Sequence, residues 1–125
     1  MKHRVFVYGT LKQNNPKRGL NQFSEYGDPR FVGVADTTES VFDMYSFGDF
    51  PGVTIGGDSK IKGEVWEVDN EIMDILDQIE GYPLFYNRTV IQTTRGPAWM
   101  YYIHDHKDVE DLPSIQPTNG YLLWD

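Results

Sequence analysis

The sequence predicts an α+β fold, a small mixed β-barrel of about six strands with one main packed helix and short helical segments. Three observations carry this reading. Val, Ile, Thr, Tyr, Phe and Trp together number 44, against 13 for Ala, Leu and Met. Strand surfaces favour the first set and helices the second. One strong helical repeat stands out, between Asp69 and Gly81. Turn signals rich in Gly, Pro and Asp punctuate the rest, with no internal repeat, low-complexity tract or linker. The 125 residues therefore read as one domain spanning 1–125, and a domain of that size hides about two-thirds of its unfolded surface.

The elements follow in order. Val5-Phe6-Val7-Tyr8 is an apolar run closed by Gly9-Thr10, the pattern of a buried strand leading into a loop. Asn15-Pro16 is a helix-start signal, and a short helix over about 16–23 turns Leu20 and Phe23 inward. Phe31 to Ala35 and Ser40 to Tyr45 read as strands. Phe50-Pro51-Gly52 reads as a turn before the strand Val53-Thr54-Ile55, and Gly56-Gly57-Asp58 as another turn. The clearest strand runs from Ile61 to Val68, with Ile61, Gly63, Val65 and Glu67 on one face and Lys62, Glu64, Trp66 and Val68 on the other. Asp69 then caps a helix whose core-facing stripe is Ile72, Ile75, Leu76 and Ile79. Gly81 and Pro83 end it, by a left-handed exit and a missing donor. Asn87 to Thr94 and Ala98 to His104 flank Arg95-Gly96-Pro97 as a hairpin. The polar, Pro-interrupted tail closes in Gly120-Tyr121-Leu122-Leu123-Trp124, an apolar cluster expected to dock on the body.

Composition narrows the function classes. There are no cysteines, which excludes disulfides, thiolate metal sites and a Cys nucleophile. The formal charge of −8 argues against general nucleic-acid affinity, which needs phosphate-neutralising cations. No stretch approaches the roughly 18 apolar residues of a membrane span, and a Gly interrupts the N-terminal apolar run too early for a signal core. The expectation is a soluble, cytoplasmic monomer with no nucleic-acid or membrane partner. Charge is uneven: Lys12, Lys17, Arg18 and Arg30 concentrate in the first thirty residues. They form either a cationic rim for an anionic substrate or an ordinary solvated surface.

Glu80 is the strongest candidate for chemistry. It closes the helix, where an anion faces the negative end of the dipole. It also ends an acidic run of Glu64, Glu67, Asp69, Glu71, Asp74 and Asp77, and Tyr82, Phe85 and Tyr86 follow. Burial, dipole and like charges all push a carboxyl pKa upward, toward the range that proton transfer needs. The alternative is a solvated helix-end residue. The second candidate is Tyr8-Gly9-Thr10-Leu11, a strand exit whose backbone N–H groups can face a small anion. Gly9 there permits close approach and a positive φ.

Three segments carry a family resemblance. They are Tyr8-Gly9-Thr10-Leu11, Gly63 to Val68, and Leu76-Asp77-Gln78-Ile79-Glu80-Gly81-Tyr82-Pro83 with Tyr86 and Arg88 behind it. In this order and spacing the chain resembles the gamma-glutamylcyclotransferase superfamily, in its short gamma-glutamylamine cyclotransferase type. Phe50-Pro51-Gly52 sits where family members carry a Pro-containing loop, so Pro51 joins the candidates. Thr10 stands where the family often has Ser, which keeps the hydroxyl. The resemblance implies a barrel with a cavity at its mouth and no metal or organic cofactor. It also implies a gamma-glutamyl substrate held by the loop from Tyr8 to Leu11, with Glu80 as the catalytic carboxylate. On this reading the substrate's own α-amine attacks its γ-carbonyl, closing 5-oxoproline and releasing an amine. Tyr82 and Tyr86 either wall the cavity or pack in the core. Arg88 either orients a carboxylate or pairs with the acidic helix.

Rival readings are a module on the same barrel that binds a small metabolite, or a nucleotide-derived signal, without turnover, and an acidic face that meets a basic protein. His104 and His106 read as surface histidines rather than metal ligands.

Overall fold

The computed structural model describes residues 2–12 and 19–124. Nine strands and one α-helix lie among them: β1 (Lys2–Val7), β2 (Arg30–Asp36), β3 (Phe42–Ser46), β4 (Pro51–Ile55), β5 (Lys60–Asp69), α1 (Asn70–Ile79), β6 (Tyr86–Thr93), β7 (Gly96–Ile103), β8 (Ser114–Ile115) and β9 (Tyr121–Leu122). The main sheet has the order β2-β5-β1-β7-β6, with β9 added beside the start of β5. It is mixed: β1 runs antiparallel to β5, with Val5 opposite Trp66, and parallel to β7, with Val5 opposite Trp99. A second sheet has the order β4-β3-β8.

The main sheet curls until its two edges meet. Thr37, just past β2, bridges Thr93 at the end of β6, and Thr38 N–H donates to the Gln92 carbonyl at 3.1 Å. That contact is an isolated bridge and not a ladder, so the sheet is strongly bent and only loosely a barrel. The expected architecture otherwise holds.

Strand alternation sets the two halves of the core. Val5 and Val7 of β1, with Trp66 and Val68 of β5, pack under α1 against Ile72, Met73 and Leu76. Phe6 and Tyr8, with Ile61 and Val65, face the other way, toward Phe42, Met44 and Val53 of the second sheet. β5 therefore divides its faces as its sequence predicts.

Helix α1 starts where expected: the Asp69 carboxylate accepts the Ile72 N–H at 3.3 Å, and the backbone leaves through Gly81 at φ 65°. One stripe residue departs. Ile79 is 57% exposed and Met73 is buried in the core, because the last helical turn overhangs a cavity rather than the sheet.

Other boundaries shift. Residues 13–18, with the Asn15-Pro16 start signal, lie outside the described residues; the remainder of that expected helix is a 3-10 helix at Leu20–Phe23, with Leu20 and Phe23 buried. Pro51 opens β4 rather than standing in a turn. Thr93 pairs with Gly96, so Thr94 and Arg95 make the β6–β7 turn. The tail docks through Leu122, which pairs with Ile61 and is buried. Among the described residues, no helix is long and apolar enough to cross a membrane.

Candidate active site

Five segments converge at the carboxyl end of β1. The strand's continuation brings Tyr8, Gly9 and Thr10, and the start of β4 brings Phe50 and Pro51. The end of α1 brings Ile79 and Glu80, while Tyr86 and Tyr101 come from β6 and β7. They enclose a cavity of about 230 Å³. Gly9 is required by close approach: a Cβ there would stand 2.9 Å from both Cγ and Cδ of the Pro51 ring. A positive φ is not the reason, since Gly9 is not among the positive-φ glycines. The Pro51 carbonyl accepts the Tyr86 hydroxyl at 2.6 Å, which fixes β4 to β6 across the cavity.

Glu80 caps the carboxyl end of α1, its backbone N–H donating to the Leu76 and Gln78 carbonyls. Burial pushes its carboxyl up from 4.5 to about 7. The acidic run before it does not crowd it, because most of those groups are engaged elsewhere. Glu64 accepts the Trp66 indole N–H at 3.0 Å, Glu67 pairs with Arg30 at 3.0 Å, Asp69 caps the helix, and Asp77 pairs with Arg88 at 3.0 Å.

Three phenols line the cavity with Glu80, and each has its proton committed. Tyr8 donates to the Tyr101 carbonyl at 2.9 Å, Tyr86 to Pro51, and Tyr101 to the Asp77 carboxylate at 2.6 Å. All three are held well above the ordinary phenol range, first by burial and then by neighbours that include the Glu80 charge. They stay protonated at neutral pH, and each oxygen is left to accept a further hydrogen bond rather than donate one. A carboxyl group and three acceptor oxygens suit a ligand rich in N–H donors.

The remaining candidates separate. Leu11 does not line the cavity; it packs on the core, and its carbonyl accepts the Leu20 N–H at 3.2 Å. Tyr82 also stands outside the lining, because its ring stacks on the Arg88 guanidinium at 4.6 Å. Arg88 lies between Tyr82 and Trp99, at 4.5 Å from the latter, and pairs with Asp77, which is the helix-pairing alternative. Of the four cations that the rim alternative named, the two among the described residues do not line the cavity. Arg30 binds Glu67, and Lys12 donates to the Trp124 carbonyl at 2.5 Å. Lys17 and Arg18 lie outside the described residues. Sequence reasoning missed Phe6, Val7, Phe50, Ile79 and Tyr101 as lining residues. Phe50 had a signal in its neighbour Pro51, whereas Tyr101 had none, since its place depends on the parallel pairing of β1 with β7. Among the described residues, no cluster of three or more His, Asp or Glu side chains is arranged to hold a metal.

Comparison with known proteins places this geometry in context. The sequence matches the family described as gamma-glutamyl cyclotransferase, AIG2-like, over residues 5–122. It is 34% identical to the gamma-glutamylcyclotransferase family protein YtfP of Escherichia coli K12 over 98 residues, 78% of this chain and 80% of that one. The solution structure of ytfP superposes with a TM-score of 0.63 at 32% identity, covering 90% of each chain. The gamma-glutamylaminecyclotransferase of Rattus norvegicus is 35% identical over 92 residues, 70% of this chain and 61% of that one. The crystal structure of a mouse aig2-like protein gives a TM-score of 0.67 at 26% identity, covering 81% and 76% of the two chains.

Proposed function

Because the chain belongs to the AIG2-like gamma-glutamyl cyclotransferase family, we propose that it converts a gamma-glutamyl amine or gamma-glutamyl amino acid to 5-oxoproline and a free amine, with Glu80 moving the proton. The observation that carries this reading is one carboxyl, raised to about 7 by burial, in a cavity walled by acceptor phenols.

The substrate's α-ammonium enters among those acceptors and gives a proton to the Glu80 carboxylate. The freed amine attacks the γ-carbonyl carbon of the same molecule, forming the ring C–N bond and a tetrahedral oxyanion. The bond to the departing nitrogen breaks as Glu80 returns its proton there, and the second proton that the ring nitrogen carries after attack passes through the regenerated Glu80 carboxylate to the released amine, which leaves as an ammonium ion. No water is consumed. The nucleophile is tethered to its target, so orientation supplies much of the acceleration. A carboxyl titrating near neutrality both accepts and returns a proton at little cost. Backbone N–H groups of the loop from Tyr8 to Thr10 are the donors suited to the glutamyl carboxylate and the oxyanion, and a single copy of the chain suffices.

The test is incubation with gamma-glutamyl-ε-lysine and a panel of gamma-glutamyl amino acids, followed by assay for 5-oxoproline. The reading expects product that is lost in Glu80→Gln while the circular dichroism spectrum is retained. Tight binding without turnover of any substrate would instead make the domain a binding module.

A further inference from the structure

The cavity lining mixes two kinds of side chain. Glu80 and the phenols are polar. Phe50 and Ile79 are apolar, and both also reach solvent, at 36% and 57% exposure. Phe50 is the end of an aromatic series: it stacks on Phe47 with ring centroids 5.0 Å apart and planes 11° from parallel, and Phe47 meets Phe85 edge-on at 5.4 Å. This exposed apolar shelf is continuous with the cavity, so a molecule that fills the cavity and protrudes from it covers the shelf. Among the described residues, the lining holds no Lys, Arg or His, and Glu80 is its one acidic group.

Resting on the cyclotransferase reading above, we infer that the amine this enzyme releases carries a flat apolar group, of the arylalkylamine class, and no carboxylate, with Phe50 and Ile79 as the residues that select it. The glutamyl part must lie with its nitrogen in reach of Glu80, so the substituent on the departing nitrogen runs toward the mouth. An aromatic substituent there extends the Phe47–Phe50 stack. A carboxylate in the same place loses water against an aromatic ring, finds no cation on the described wall, and approaches the Glu80 charge. Each of these disfavours it.

The experiment compares three substrates with the purified chain: gamma-glutamyl-2-phenylethylamine, gamma-glutamylphenylalanine and gamma-glutamylmethylamine. The first two differ only by the carboxylate, and the first and third by the aromatic arm. The kcat/KM for the phenylethylamine substrate is expected to exceed each of the others by about tenfold or more. Phe50→Ala, at an exposed position, should collapse the preference over the methylamine substrate, and Phe50→Lys should shift it toward gamma-glutamylphenylalanine. Equal or faster turnover of gamma-glutamylphenylalanine, or a preference unchanged in Phe50→Ala, overturns the inference and leaves the cyclotransferase reading standing. No 5-oxoproline from these three or from the wider gamma-glutamyl panel overturns both.

Discussion

In the proposed reaction Glu80 links stability to turnover through one property, its preference for a proton. Burial raises the carboxyl from 4.5 to about 7, so between those values the unfolded chain ionises while the folded chain stays protonated. Stability contributed by the neutral carboxyl is present below pH 4.5 and lost as pH rises to 7. Above that range the penalty is about 3 kcal/mol. Glutamine mimics the neutral acid. Glu80→Gln should therefore melt higher than the wild type at pH 8 and alike at pH 4, while losing about 10²-fold or more in turnover. Thermal melts at the two pH values check the first part. Gly9 makes a second residue-scale case. The Cβ of Gly9→Ala meets a proline ring 2.9 Å away, and overpacking of that kind costs about 1–3 kcal/mol. Urea titration should show that loss, with a raised KM because the loop must shift at the cavity wall. Both residues were legible in the sequence, since a helix stop and a strand exit are local signals. Tyr101 was not, because a neighbouring strand brings it across 93 positions from Tyr8.

At the scale of elements, the end of α1 is held where the cavity needs it. Asp77, one helical turn before Glu80, accepts the Tyr101 hydroxyl at 2.6 Å and an Arg88 Nη2–H at 3.4 Å, with its charge 3.0 Å from Arg88 Nε. The acidic run therefore serves as a set of separate anchors rather than one repelling face. Pairing of Arg88 with the helix was one of the two readings of the sequence, whereas its choice of Asp77 and the pairing of Glu67 with Arg30 were not legible, since those partners lie on strands whose register is non-local. Asp77→Asn weakens both contacts, and losing charge-assisted hydrogen bonds of this kind costs about 1–3 kcal/mol. The expected result is a lower urea midpoint and reduced kcat, with Glu80 less well placed. The boundary of α1 was clear from Asp69 and Gly81. The exposure of Ile79 was not, because the helical period specifies a face and not what stands opposite it.

At the scale of the molecule, the strand-rich composition pointed to the right class, and the curl of the main sheet accounts for the barrel-like expectation. How far such a sheet curls depends on a few long-range backbone bonds, here Thr38 N–H to the Gln92 carbonyl and Thr94 N–H to the Asp36 carbonyl around the Thr37–Thr93 bridge, and periodicity is silent on these. The tail belongs to the same body. Leu122 is 1% exposed and lies in parallel register beside β5, so Leu122→Ala should cost about 2–5 kcal/mol in one cooperative transition rather than a separate early one. Differential scanning calorimetry distinguishes the two.

The most direct measurement of the central claim is kcat/KM for 5-oxoproline release as a function of pH, in the wild type and in Glu80→Gln. Glu80 as the proton-transfer group predicts a rising limb centred near pH 7 that is absent from the Glu80→Gln profile. A wild-type limb at the ordinary carboxylate value, or turnover undiminished in Glu80→Gln, would contradict it.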